Sequence, residues 1–244
     1  MKWTLHFSEA EGGLVSWRDR LTAEACLTHD HISGCLAPDV AMPRIDILVQ
    51  RARNRVIADL GLVGLALDRA RIRIMVDSDN PNFAASLADR QFSRVLAHEF
   101  HHCLRHAGAG YGVTLAEALV SEGLADQFDR EVHGGDGQAW NHALRAEQWP
   151  LLLQRAEKAL RVACYSHKLW FFGSRPDGIT VAACGAGRAN GYPRWAGYTI
   201  GYHLVGAYLS AHPDARPSRM AATPAEVVIK AWPRLRARFG VAMR

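Results

Sequence analysis

The chain has 244 residues, of which 49% are hydrophobic and 22% are charged. This length allows one large domain or two small lobes with a substantial core, and the composition is that of an ordinary globular protein. The formal net charge of +5 is spread over isolated arginines, with no Lys/Arg block, so a solvated basic surface is favoured over a nucleic-acid-binding groove.

The cysteines and the apolar runs narrow the class of protein further. The 5 cysteines are widely spaced and form no C-x-x-C motif, which argues against a disulfide framework and against a cysteine zinc site. No apolar run approaches membrane-spanning length, and the first residues have no apolar signal-peptide core. We therefore expect a cytoplasmic protein.

The N-terminal part begins with a predicted strand and a predicted helix. Residues 2–7 alternate with a period of two, which is typical of a half-buried strand, and residues 14–27 have apolar side chains at helical spacing. The stretch 28–35 contains His29, Asp30 and His31. These side chains could bind a metal, but the presence of Asp and Gly in this stretch favours a surface turn.

A helix and two strands are predicted between residues 43 and 77. Pro43 is expected to open a helix that runs to Leu60, because apolar side chains recur there every three or four residues. Ile72, Ile74 and Val76 predict a strand over 71–77, with an earlier strand at 62–67 that could pair with it. Arg71 and Arg73 on the polar face of strand 71–77 fit an edge strand that is guarded against aggregation.

The remaining elements are predicted to be helices. Apolar spacing, capping signals and proline positions indicate helices at about 87–106, 115–130, 137–147, 150–164, 195–210 and 224–238. The elements together predict an α+β fold with a small, mostly antiparallel sheet in the N-terminal part and a mostly helical C-terminal part. A division into 1–134 and 135–244 is expected, although the chain could form one domain.

The predicted helix over 87–106 carries the pattern His98-Glu99-Phe-His-His102. On a helix, His98 and His102 lie one turn apart on the same side. Two imidazoles at this spacing bind Zn²⁺, and the glutamate between them can deprotonate a metal-bound water. The sequence therefore predicts a zinc site with His98 and His102 as ligands and Glu99 as the general base.

A catalytic zinc site of this kind needs a third protein ligand. The metzincin pattern would place glycine at 105 and histidine at 108, whereas this chain has Arg105 and Gly108. The better candidate is Glu122, which lies within the apolar stripe of the following helix, where a buried carboxylate requires a partner or a metal. The alternative is that Glu122 is partly exposed or paired with an arginine.

Six further residues are candidates for supporting roles. Asp126 could accept the second N–H of a ligand histidine, or it could be a solvated helix acid. Tyr198, Tyr202 and His203 lie on a glycine-rich helix and could stabilise an oxyanion, or the tyrosines could simply fill the core. Arg188 and Arg194 could hold a substrate carboxylate, or they could be ordinary surface residues.

The spacing H-E-x-x-H…E-x-x-x-D resembles that of the gluzincin metallopeptidases. Within that class, the chain resembles the YjaZ-type family of zinc-dependent proteases, formerly a domain of unknown function. The segments that carry the resemblance are LAHEFHHCLRH at 96–106, EALVSEGLAD at 117–126 and PRWAGYTIGYHLVGAYL at 193–209. The resemblance implies a gluzincin-like α+β core with a metal site between two helices, and it implies peptidase activity. It also implies that strand 71–77 is an edge strand beside the zinc that binds an extended peptide main chain to main chain.

The leading hypothesis is a zinc metallopeptidase that acts on a peptide or protein substrate, with no membrane or nucleic-acid partner and with its oligomeric state left open. An alternative is a non-catalytic zinc protein that uses its basic surface to bind a partner or a nucleic acid. The presence of Glu99 argues against this alternative, because a structural zinc site needs no base. A DNA-associated metalloprotease is a third possibility, but the chain has no basic tail or zinc ribbon.

Overall fold

The computed structural model describes residues 2–10, 12–38, 40–53, 55–173 and 191–240. The strands are β1 Trp3–Ser8, β2 Ile45–Arg51, β3 Leu62–Asp68 and β4 Arg71–Val76. The α-helices are α1 Val15–Cys35, α2 Phe83–Ala88, α3 Gln91–Ala107, α4 Leu115–His133, α5 Trp149–Ala159, α6 Ala196–Ala211, α7 Ala225–Val228 and α8 Trp232–Arg238. The predicted α+β class is confirmed, with a small sheet near the N-terminus followed by a mostly helical chain. No helix in the described ranges combines the length and the apolar character needed to cross a membrane.

The four strands form a mixed sheet in the order β1-β2-β4-β3. β1 pairs with β2, and β2 with β4, in parallel, while β3 and β4 form the antiparallel hairpin that the sequence predicts. The expectation of a mostly antiparallel sheet is therefore wrong. The expected edge strand is wrong as well, because β4 lies inside the sheet and β3 forms its edge.

The main error in the predicted elements lies at 43–60, where the expected helix is the strand β2 and the loop that follows it. Ile45, Ile47 and Val49 are buried and alternate with more exposed residues. The same apolar residues also fit a spacing of three or four, so the pattern alone is ambiguous. β-Branched side chains and a position between two strands decide in favour of the strand.

The expected loop at 28–35 is also wrong, because α1 continues as a helix to Cys35. The Thr28 hydroxyl donates to the carbonyl of Glu24 one turn earlier and lies 2.7 Å from the Ser93 hydroxyl of α3. Ile32 is fully buried on the same helix. Tertiary packing therefore extends the helix past the polar residues His29, Asp30 and His31.

The helical prediction is accurate around the motif and less so after it. The predicted helix over 87–106 is two helices, α2 and α3, separated at Arg90, whose φ of 58° is left-handed. The helix expected at 137–147 is instead two 3-10 turns, Ala139–His142 and Ala146–Gln148. The final predicted helix is divided into α7, a 3-10 turn and α8, because Pro233 at the start of α8 cannot continue a preceding helix.

The chain forms two compact units. The first consists of Met1–Gly108, Phe128–Gly135 and Pro217–Ala222, and it contains the sheet and α1 to α3. The second consists of Ala109–Gln127, Asp136–Arg216 and Thr223–Arg244, and it contains most of α4 and the later helices. The chain crosses between the units several times, and the division into 1–134 and 135–244 stays a prediction.

Candidate metal centre

The helix α3 presents the histidine pair that the sequence predicts. Its apolar residues Phe92, Leu96 and Phe100 are fully buried, so the helix is held inside the first unit. His98 and His102 are themselves 8% and 5% exposed. Their Nε2 atoms lie 3.0 Å apart, so both imidazoles converge on one point as their spacing requires.

Glu99 follows His98 directly and is held by the edge strand of the sheet. Its Oε2 accepts a hydrogen bond of 2.7 Å from the backbone N–H of Ala66 in β3. The carboxylate is 7% exposed, and Gly64 lies beside it in the same strand. The edge strand therefore fixes the orientation of the carboxylate next to the histidine pair.

His101, the third histidine of the motif, takes a different direction from its neighbours. It is fully buried against Phe128, and its Nε2 lies 3.3 Å from the carbonyl oxygen of Pro217. Burial lowers the pKa of the His101 imidazole well below its ordinary value, and the adjacent His102 lowers it further. His101 is thus a neutral core residue that anchors α3 within the first unit.

Glu122 lies on α4, whose start is set by a capping box. Thr114 and Glu117 exchange the expected hydrogen bonds, with Glu117 Oε2 accepting the Thr114 N–H at 2.8 Å and the Thr114 hydroxyl accepting the Glu117 N–H at 3.3 Å. Glu117 thus caps the start of α4, whereas Glu122 takes no part in the cap. Glu122 is 5% exposed, and its Oε1 accepts a hydrogen bond of 2.7 Å from the Tyr111 hydroxyl.

His98, His102 and Glu122 form a group that could hold a metal ion, because one ligand atom of each lies within 4.8 Å of the other two. Two imidazoles and a carboxylate are the donor set of a catalytic zinc site. Zinc–nitrogen bonds of about 2.0–2.1 Å at a tetrahedral angle would place the two nitrogens about 3.3 Å apart, close to the 3.0 Å between them here. The three residues therefore fit Zn²⁺.

Comparison with known proteins shows to which family the chain belongs. A family model described as "Predicted Zn-dependent protease (DUF2268)" matches residues 34–230. The chain belongs to this family. The resemblance inferred from the sequence motifs is thereby confirmed, and the matched region contains all three residues of the candidate metal centre.

Curated relatives say less about activity than the family model does. The chain is 28% identical over 122 residues to the uncharacterized protein YjfC of Bacillus subtilis (strain 168), and the alignment covers 48% of this chain and 40% of that protein. The chain thus matches well under half the length of this relative. No solved structure matches the chain.

Asp126 lies one turn after Glu122 and is fully buried. Its Oδ1 accepts a hydrogen bond of 3.0 Å from the Trp140 indole N–H, and its Oδ2 accepts one of 2.6 Å from the Asn141 amide. These bonds tie α4 to the 3-10 turn at Ala139–His142 in this member of the DUF2268 family. A bond from Asp126 to a ligand histidine stays a prediction.

The three candidates on α6 have different surroundings. Tyr198 packs against the rings of Trp140 and Phe171. The Tyr202 hydroxyl donates a 2.8 Å hydrogen bond to the carbonyl of Asp136. His203 lies among aromatic rings, and burial lowers the pKa of its imidazole to about 4, with Arg238 and His142 contributing. Their catalytic roles stay predictions.

The two candidate arginines can be placed only in part. The Arg194 guanidinium stacks over the ring of Trp195, 3.8 Å from its centre. Arg188 lies outside the described residues. A role for either in holding a substrate carboxylate stays a prediction.

Sequence reasoning missed four residues around the predicted ones. Gly64 and Ala66 contact Glu99, and Tyr111 bonds to Glu122 and to His167. Tyr111 lies in AGAGYG, whose glycines indicate only the end of a helix, and His167 lies in a stretch without a period. One signal in the sequence could have indicated Tyr111, because it is the only large side chain in the segment AGAGYG.

Proposed function

We propose that the protein is a zinc-dependent peptidase. The observation that carries this proposal is the convergence of His98, His102 and Glu122, with Glu99 adjacent to the first ligand and bonded to β3. Membership of a family described as predicted Zn-dependent proteases supports the same assignment. We infer His98, His102 and Glu122 as the ligands.

When bound, zinc would supply Lewis-acid polarisation of the scissile carbonyl and a water molecule of lowered pKa. Glu99 would act as the general base, accepting the proton of that water on its carboxylate and passing it to the leaving amine. The Ala66 N–H holds one carboxylate oxygen in place at 2.7 Å, which limits the movement of the base between the two proton transfers. A tyrosine or histidine donor for the oxyanion is expected from α6, with Tyr198, Tyr202 and His203 as its candidates.

The proposed substrate is an extended peptide that pairs with β3. This strand is an edge of the sheet, and its residues Gly64 and Ala66 lie against Glu99. Edge strands bind extended peptides with an affinity that comes from main-chain hydrogen bonds and a specificity that comes from contacts with alternate side chains. Leu65 and Leu67, which are 44% and 43% exposed, offer apolar contacts on the other face of the same strand.

The test separates zinc binding from hydrolysis. Wild type and Glu99→Gln are purified, their zinc content is measured, and their activity is followed on a pool of internally quenched peptides of randomised sequence. We expect about one zinc per chain in both proteins and hydrolysis only by the wild type, with a loss of at least about 100-fold in Glu99→Gln. Equal activity of the two proteins would remove Glu99 from the mechanism.

A second pair of variants tests the ligand assignment. Glu122→Gln should lose zinc, whereas Glu117→Gln, on the same helix, should retain it because glutamine also serves in a capping box. Zinc lost from Glu117→Gln and retained by Glu122→Gln would overturn the assignment. Zinc bound by the wild type without hydrolysis of any peptide would favour the non-catalytic zinc protein instead.

A further inference from the structure

Glu122 takes part in a chain of polar side chains within the second unit. The Tyr111 hydroxyl lies 2.7 Å from Glu122 Oε1 and 3.0 Å from His167 Nε2. These three residues come from the glycine-rich loop before α4, from α4 itself and from the segment just before a π-helical turn at Lys168–Phe172. Widely separated parts of the sequence thus meet at one carboxylate.

The donors and acceptors allow one order of hydrogen bonds in this chain when Glu122 is ionised. An ionised carboxylate only accepts, so the single phenolic proton of Tyr111 must go to Glu122. The Tyr111 oxygen must then accept from His167, which requires the proton of His167 to be on Nε2. The direction is therefore His167 Nε2–H to Tyr111, and Tyr111 O–H to Glu122.

The surroundings hold both members of this pair in place. The His167 ring stacks on Phe171 at a centroid distance of 4.4 Å and an interplanar angle of 19°. The backbone carbonyl of Tyr111 accepts a hydrogen bond of 2.8 Å from Ser121, the residue before Glu122. The tyrosine is thus fixed to α4 through its backbone and its side chain.

We propose that Tyr111 and His167 are positioning residues that orient Glu122 for metal binding. This inference rests on the proposed zinc site. Outer hydrogen bonds to a ligand restrict its rotation, and their loss costs about 10- to 100-fold in metal affinity. His167 acts through the Tyr111 hydroxyl, so its contribution exists only when that hydroxyl is present.

Zinc affinity is measured by competition with a chromophoric chelator, and Co²⁺ spectra report the ligand geometry. Tyr111→Phe should weaken zinc binding by about 10- to 100-fold and change the visible Co²⁺ bands. Tyr165→Phe is the matched control, because this tyrosine is also close to His167, with ring centroids 6.3 Å apart, and its zinc affinity should equal that of the wild type. Wild-type affinity in Tyr111→Phe would overturn the proposal.

Two substitutions at 167 separate hydrogen bonding from packing. His167→Gln keeps an N–H donor and loses the stacking on Phe171, whereas His167→Phe keeps a stacking ring and loses the donor. We expect tighter zinc binding by His167→Gln than by His167→Phe. We also expect the double variant Tyr111→Phe/His167→Phe to bind zinc no more weakly than Tyr111→Phe alone. The proposal for His167 would be overturned if the losses of zinc affinity were additive in the double variant, or if His167→Phe bound zinc more tightly than His167→Gln. Either result would assign His167 a packing role.

The hydrogen-bond order has a readout that needs no zinc. In ¹⁵N-labelled protein, the two ring nitrogens of His167 should give the shifts of a tautomer protonated on Nε2, and Tyr111→Phe should change this pattern. A proton on Nδ1 alone would overturn the inferred order. Failure of the wild type to bind zinc would instead overturn the proposed function, and the tautomer would still decide the order of the hydrogen bonds.

Discussion

Gly64 of β3 and Glu99 of α3 are in such close contact that no side chain fits between them. A Cβ atom at position 64 would overlap Glu99 Cγ and would lie 2.8 Å from Glu99 Oε1. Two residues further along the strand, Ala66 donates its N–H to the same carboxylate. The absence of a side chain at 64 and the backbone donor at 66 together determine where the proposed base lies.

Gly64→Ala should therefore displace the Glu99 carboxylate while leaving the zinc ligands in place. A misplacement of about 1 Å at a catalytic group costs about 100-fold in rate. We expect a fall of that order in kcat with unchanged zinc content, measured by steady-state hydrolysis and metal analysis. Gly34→Ala is the control, since a Cβ there meets nothing within 4 Å. Full activity in Gly64→Ala would contradict the contact.

The sequence predicts the ligands and the base because all four lie on two helices, where spacing determines which side chains share a face. It does not predict Gly64, Ala66, Tyr111 or His167, because their roles depend on contacts between distant segments. The same limit explains the error at β2. Its apolar residues fit the spacing of both a helix and a strand, and only its position between β1 and β4 makes it a strand. Local periodicity thus predicts the candidate metal ligands and the base, whereas the residues that contact them become apparent only from the tertiary structure.

Gly123, next to Glu122, makes a second close contact. A Cβ at this position would overlap the carbonyl of Gly201 in α6, and a Cβ at 201 would overlap the carbonyl of Leu119. Gly201→Ala should lower the free energy of unfolding by about 1–3 kcal/mol through overpacking, measured by urea denaturation. Gly206→Ala, which meets no backbone and only the end of the Gln127 side chain at 3.2 Å, should lower the free energy of unfolding by less than Gly201→Ala does. Equal effects of the two substitutions would argue against the close contact.

Asp129 is the centre of a buried polar cluster in the first unit and forms an ion pair with Arg94. It is 1% exposed and lies 3.0 Å from Arg94 and 2.8 Å from His133. Asp129→Leu would remove the carboxylate and leave the Arg94 guanidinium largely buried, so we expect a loss of about 3 kcal/mol in the free energy of unfolding. The double variant Arg94→Leu/Asp129→Leu should recover part of this loss, as measured by denaturation. A double variant less stable than the single one would show that the charge pair is not the cause.

His203 should make the stability of the protein depend on pH. Burial, Arg238 and His142 lower the pKa of its imidazole from the ordinary 6.5 to about 4. Between these two values the unfolded chain binds a proton at this position and the folded chain does not, so stability falls as the pH is lowered from 6.5 toward 4. The slope is at most about 1.4 kcal/mol for each pH unit, and partial exposure of the ring reduces it.

The corresponding variant is His203→Phe, which keeps an aromatic ring next to Trp149 and Phe239 but cannot bind a proton. Between pH 7 and pH 4.5 the wild type should lose about 1–2 kcal/mol more than this variant, as measured by urea denaturation at each pH. His212→Phe makes the same substitution at an exposed histidine and is the matched control for replacing an imidazole by a phenyl ring. Parallel curves for the wild type and His203→Phe would mean that His203 binds protons equally in the folded and unfolded chains, because only a difference in proton binding can produce a slope.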